Sequence, residues 1–112
     1  MSCEASAPLL RTCQFALAVQ SGNLAGLSAS ERQVAARTTD LPARKFRGRQ
    51  CELVGDITAR CVITFSLSPG AFETTSAAFD VQPANCTYND GACSYPPGEQ
   101  PRYEVVGYEG LE

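Results

Sequence analysis

Six cysteines and no histidine in a chain of 112 residues narrow the chemistry before any element is placed. Cys3, Cys13, Cys51, Cys61, Cys86 and Cys93 show none of the paired C-x-x-C spacing of a zinc site, and imidazole ligands are missing altogether. Thiols at this density without metal spacing read as disulfides, which form and persist where the environment is oxidising. The expected locations are the periplasm, the cell surface or the medium. Cys86 and Cys93 flank Asn89-Asp90-Gly91, a tight-turn signal that brings their side chains face to face, and they are expected to pair. Cys61 has two equal candidates on spacing, Cys13 and Cys51. No metal and no cofactor is expected.

Two further sets of residues carry candidate chemistry. Lys45, Arg47 and Arg49, with Arg60 downstream, make a basic stripe next to Arg44 in a protein whose net charge is −3. Such a stripe could hold anionic envelope lipid, a cell-wall polymer or an acidic partner protein, whereas the bulk charge argues against nucleic acid. Its plain alternative is a solvated strand face balanced by Glu52, Glu104 or Glu109. Tyr88 and Tyr95 lie in the proline- and glycine-rich stretch 82–101. Closed by a disulfide, that stretch is either a contact surface that loses little entropy on binding or a stabilised insertion. For acid–base work only Asp80, Glu104, Tyr103 and Tyr108 stand near the expected sheet, and no nucleophile with a base beside it can be assembled. The chain reads as a non-enzyme, with no catalytic residue.

The elements that must position these residues are organised around 57–67. Ile57, Ala59, Cys61, Ile63, Phe65 and Leu67 alternate with Thr58, Arg60, Val62, Thr64 and Ser66, the period of a half-buried antiparallel strand. Its cover is a helix over 6–21, with Ser6 or Ala7 as cap, Pro8 in the first turn and Gly22-Asn23 as stop. Leu9, Leu10, Cys13, Ala16 and Leu17 form the apolar stripe, widened by Phe15 and Val19. Ser28-Ala29-Ser30-Glu31 matches a capping box and opens a second, peripheral helix over 29–38. A strand over 46–54 is joined to Ile57 by Gly55-Asp56, read as a two-residue type II′ turn. That register sets Glu52 against Ala59, Gln50 against Cys61 and Phe46 against Phe65. Cys51 then falls opposite Arg60, so a Cys51–Cys61 bridge needs a bulge or an odd-length loop. The same register turns Lys45, Arg47, Arg49 and Arg60 all away from the helix. Ser68-Pro69-Gly70 turns the chain, 72–81 returns as a strand, and 103–108 closes the sheet. The expected class is α+β, an N-terminal helix and a short second one on a curved antiparallel sheet of about four strands. One domain spans 3–110, with Met1-Ser2 and Leu111-Glu112 read as additions and an export signal as removed.

Two helices followed by a meander of long strands, closing on Arg102-Tyr103-Glu104-Val105-Val106-Gly107, resemble the cystatin-like α+β roll and, within it, the nuclear-transport-factor-like domains. The resemblance covers nearly the whole chain and rests on element order and that closing pattern. It implies a curved sheet wrapped around a helix, often with a pocket between them, and frequent homodimers. Isomerases and dehydratases of the group line the pocket with Asp, Tyr or His; here alternation places Asp80 on the solvent side of its strand. Cystatins insert a Q-x-V-x-G hairpin into cysteine proteases, but Gln50-Cys51-Glu52-Leu53-Val54-Gly55 has one residue too many before the Val-Gly. Cys3 stands where a processed bacterial lipoprotein carries its lipid, so it is a candidate anchor as well as an ordinary half-cystine. Eight arginines against one lysine suggest a GC-rich bacterial genome. The longest purely apolar run, Phe15 to Val19, is too short to span a bilayer.

These features together predict an exported, non-enzymatic binding or envelope-accessory module for a protein or an anionic envelope component. The alternative is a small-molecule-binding or isomerase-type pocket protein. A pocket protein needs a cavity above about 300 Å³ between helix and sheet with convergent polar groups. A module needs an exposed patch over a filled interior.

Overall fold

The computed structural model describes Cys3 and residues 8–39, 41–67 and 72–110, apart from the side chains at positions 43 and 46. Helix α1 (Leu9–Ser21) is followed by α2 (Ala29–Ala35), a 3₁₀ turn (Leu41–Ala43) and six strands. These are β1 (Lys45–Leu53), β2 (Ala59–Ser66), β3 (Thr74–Pro83), β4 (Thr87–Asn89), β5 (Ala92–Ser94) and β6 (Tyr103–Glu109). An antiparallel sheet runs β1-β2-β3-β6, and β4 and β5 form a separate hairpin. The class is α+β, with a helix laid on an antiparallel sheet, compatible with a cystatin-like roll.

Alternation along β2 does what its period requires. Ala59, Cys61, Ile63 and Phe65 are buried, and the face that they make is covered by Phe15, Ala16 and Val19 of α1 with Leu27, Val34 and Leu41. Phe79 sits at the centre, edge-on to Phe15 at 5.5 Å between centroids and 5.3 Å from Tyr108. The run is shorter than its apolar alternation, since Ile57 belongs to a loop and Leu67 is exposed. Helix α1 starts behind Pro8 and stops at Gly22 (φ 78°), whose left-handed turn lets its N–H donate to the Val19 carbonyl. The expected caps Ser6 and Ala7, and the turn at Ser68-Pro69-Gly70, lie outside the described residues. The buried stripe of α1 is Thr12, Cys13, Phe15, Ala16 and Val19, whereas Leu9, Leu10 and Leu17 are half-buried. The helix is therefore rotated from the expected stripe, so that its one aromatic side chain, which removes the most area from water, points at the sheet.

Helix α2 is opened by the expected capping box: Ser28 Oγ accepts the Glu31 N–H at 3.1 Å, and Glu31 Oε1 accepts the Ser28 N–H at 3.0 Å. It is shorter than expected and is not peripheral, for it lies along β6 with Glu31 and Val34 buried.

The β1–β2 connection corrects the expected register. Val54 N–H donates to the Thr58 carbonyl at 2.9 Å, which leaves a three-residue loop of Gly55, Asp56 and Ile57. Gly55 is not among the described residues with positive φ, so the II′ turn is not used. An odd-length loop shifts the pairing by one, setting Cys51 opposite Cys61, Glu52 opposite Arg60 and Arg49 opposite Ile63. A bulge between Phe46 and Gly48 then absorbs the shift, and Phe46 meets Phe65 as expected. Cys51 is bridged to Cys61, Cys86 to Cys93, and Cys13 to Cys3 rather than to Cys61. The Cys3 sulfur is thus a half-cystine in this structure, bonded to Cys13. Three disulfides fit an oxidising, extracytoplasmic environment.

Two outcomes are expected. Reduction of the unfolded chain adds two hydrogens for each of three bridges, read by intact mass. Phe79→Ala, which empties the centre of the core, lowers stability by about 3–5 kcal/mol, read as a lower urea midpoint at unchanged slope.

Candidate functional site

Two loops meet beyond one end of the sheet, the β1–β2 loop and the β4–β5 hairpin. The hairpin turns through Asp90 (φ 51°) and Gly91 (φ 79°), the paired positive φ angles of a type I′ turn, with Asn89 opposite Ala92. The expected Cys86–Cys93 bridge closes it. Tyr88 donates its phenol to Asp56 Oδ2 at 2.5 Å, and a Cβ placed on Gly91 would meet the same oxygen at 4.0 Å, so the two loops touch. The long excursion is pinned at its base, where the Asn85 amide donates to the Gln100 carbonyl and its oxygen accepts the Arg102 N–H, both at 2.9 Å. On the other loop, Cys51–Cys61 clamps the strands just before Leu53.

This stapled end presents apolar side chains to water: Leu53 is 78% exposed, Val54 49% and Tyr88 44%. Between the loops lies a notch of about 140 Å³, lined by Leu53, Ile57, Cys93, Tyr95 and Tyr103 among others. The bond to Asp56, then desolvation and the Asp56 charge, holds the Tyr88 phenol above its ordinary range, and burial followed by Tyr103 raises that of Tyr95. Both stay protonated near neutrality and serve as neutral aromatic surface. Sequence reasoning named Tyr88 and Tyr95 as candidates but did not name Leu53 and Val54, whose signal was an apolar pair directly before a Gly-Asp turn.

The basic stripe does not form one face. The shifted register turns Arg49 to the helix side, where its Nη1 donates to Cys13 Sγ at 3.2 Å. Arg60 is on the outer face but is tied to Asp80 at 3.2 Å and approached by Glu109 at 3.9 Å, and the Asp80 bond foremost raises its pKa. Lys45 and Arg47 remain exposed, at the end of β1 away from Leu53. The four candidate acid–base groups do not converge: Asp80 takes the expected outer side with Arg60, Glu104 lies opposite Gln82, Tyr108 packs on Phe79 below Arg37, and Tyr103 stands against Pro83.

A second concave feature lies beside α1. A cleft of about 620 Å³ is lined by Leu10, Arg11, Gln14, Leu27, Tyr103 and Glu104 among others. Two of its wall residues form a buried ion pair. Glu31 is fully buried and accepts from Arg11 Nε at 2.9 Å, from Arg11 Nη2, from the Ser28 N–H at 3.0 Å and from the Val105 N–H at 3.0 Å. Burial is the largest single influence on its pKa and raises it. The Arg11 bond, the two backbone donors and the Arg11 charge together outweigh that, so the carboxyl sits below its ordinary 4.5.

Among the described residues, no helix is long and apolar enough to cross a membrane, and no group of three or more His, Cys, Asp or Glu is placed to hold a metal ion. No protein-family model matches the chain, nor does any curated protein or solved structure.

The Glu31 network makes a signed prediction. Its folded pKa is lowered, so its contribution is complete above pH 4.5 and is lost as the pH falls through the lower folded value. Arg11→Ala strands the buried carboxylate and destabilises by about 3–5 kcal/mol at neutral pH. That cost shrinks in acid, where Glu31 can take up a proton. Urea midpoints of both proteins across acid and neutral pH check it, and parallel pH profiles would refute it.

Proposed function

We propose that the protein is an exported, non-enzymatic binding module of the periplasm, cell surface or medium, with the finer architecture of a cystatin-like roll. One observation carries this reading: Leu53, Val54 and Tyr88 stand exposed on an end held by two bridges. Beneath them the space between α1 and the sheet is occupied by Phe15, Ile63, Phe65, Phe79, Val81 and Val105, each at most 1% exposed. A surface that keeps leucine in water at the cost of its burial energy, and spends two cross-links on holding it still, is what a preorganised contact needs. Its partner is a protein or an anionic envelope component; the exposed Lys45 and Arg47 are the cationic end that the second would use.

The second reading, a small-molecule-binding or isomerase-type pocket protein, is favoured by the cleft of about 620 Å³. That cleft lies between α1 and the start of β6, at the edge of the sheet and outside the filled core, and the Arg11 and Glu31 charges in its wall are engaged with each other.

Capture from an envelope extract of the native cell separates the two. Wild type and Gln14→Trp, which fills the cleft, are expected to retain the same partner, and Leu53→Asp with Val54→Asp is expected to lose it at unchanged melting temperature. Capture that survives the loop-end substitutions would remove the contact surface. A small ligand seen by native mass spectrometry on wild type and lost from Gln14→Trp would install the pocket reading.

A further inference from the structure

The stapled end has a chemistry that names the partner's side, and we infer that it docks a protein segment in which an apolar side chain is flanked by lysine or arginine. The inference rests on the reading of this end as the contact surface. Stretches 51–59 and 84–101 contain Glu52, Asp56, Asp90 and Glu99 and no Lys or Arg. Glu99 is engaged by Arg102 at 3.7 Å, and Glu52 faces Arg60 across the strands. Asp56 is exposed in the lining of the notch, and Asp90 is exposed on the hairpin turn, next to the Gly91 that approaches Asp56. The compensating Lys45 and Arg47 lie toward the far end of β1, roughly 20–25 Å away along the strand, which exceeds two Debye lengths at physiological salt. The loop end therefore acts on a partner as an acidic, apolar surface despite the basic run in the same strand.

The notch selects the rest. About 140 Å³ between Leu53, Ile57, Tyr95 and Tyr103 accommodates a single apolar side chain. The Asp56 carboxylate in its lining, with Asp90 on the adjoining turn, favours a cation next to that anchor. An anionic lipid surface is disfavoured, because Asp56 and Asp90 would face its phosphates. A second copy docking by the same end would oppose carboxylate to carboxylate.

Panning a random-peptide phage library on the immobilised, disulfide-intact protein tests this. Enriched peptides are expected to combine Leu, Ile, Phe or Tyr with neighbouring Lys or Arg. A synthetic peptide of the leading sequence is expected to bind Leu53→Asp at least about tenfold more weakly. Asp56→Asn with Asp90→Asn is expected to remove most of the salt dependence and to weaken binding by about three- to tenfold at low salt. All three positions are exposed, and melting temperatures confirm that the variants fold. Absence of enrichment, or binding indifferent to Leu53→Asp, overturns the inference, and the extract capture above then judges the binding-module reading by itself. Acidic or uncharged consensus peptides that need Leu53 would keep the surface and overturn the chemistry. Peptides lost from Lys45→Glu with Arg47→Glu but not from Leu53→Asp would move the contact to the basic end. Association with phosphatidylglycerol vesicles that Leu53→Asp abolishes would overturn it in favour of a membrane.

Discussion

A carboxylate taken wholly out of water has to find its hydrogen bonds inside the protein, and Glu31 finds them on three separate elements. Arg11 comes from α1, the Ser28 N–H from the start of α2, and the Val105 N–H from β6. Desolvating an ion pair costs several kcal/mol per charge, so the arrangement survives only because each oxygen is doubly engaged. The consequence is positional. Seven residues of α2 are far too few to persist as an isolated helix, and the clasp fixes them along the edge of the sheet. Arg37, just beyond α2, donates to the Tyr108 carbonyl at 3.3 Å, so polar groups at both ends of β6 are occupied by side chains.

The opposite edge is managed differently, and this bears on the basic residues. β1 carries a bulge between Phe46 and Gly48, exposed Lys45 and Arg47, and an inward-turned Arg49. Bulges, lysines and inward charges are the devices that keep an open strand from pairing with other chains. A run that reads as a stripe for anionic ligands thus also carries the features that disfavour strand pairing at that edge. Cys51–Cys61 supports them by locking the register from which all of these directions follow.

Much of the fold was legible because its signals are local. The alternation in β2, the Ser28–Glu31 box, and the Asn89-Asp90-Gly91 turn with its bridge each concern neighbours in the chain, and each stands where local physics puts it. Failures came where one residue decides a long-range outcome. Reading Gly55-Asp56 as a two-residue turn was reasonable for a Gly-Asp pair, yet Ile57 joins the loop, and that single residue reverses the face of Arg49 and brings Cys51 to Cys61. Glu31 was legible as a cap and illegible as a clasp, since its partners Arg11 and Val105 are 20 and 74 residues away. Leu53 and Val54 carried the same ambiguity: apolar residues at a strand end look like core until the topology leaves nothing above them.

The candidate site differs from the core in how its order is obtained. Stretch 84–101 has little apolar burial of its own, so hydrophobic packing cannot hold it against the entropy of some eighteen residues. Order comes instead from discrete ties: the Cys86–Cys93 bridge, the Asn85 bonds to Gln100 and Arg102, and Tyr88 on Asp56. The bridge limits the unfolded alternatives of the segment, while the polar ties choose among those that remain. Because this ordering is complete when the protein folds, little of it would be left to be met in the binding proposed above. Leu53 and Tyr88 can then remain in water without the loops collapsing over them, which a flexible segment of the same composition would do. The disulfides that adapt the chain to an oxidising environment are therefore also what keeps its apolar end open.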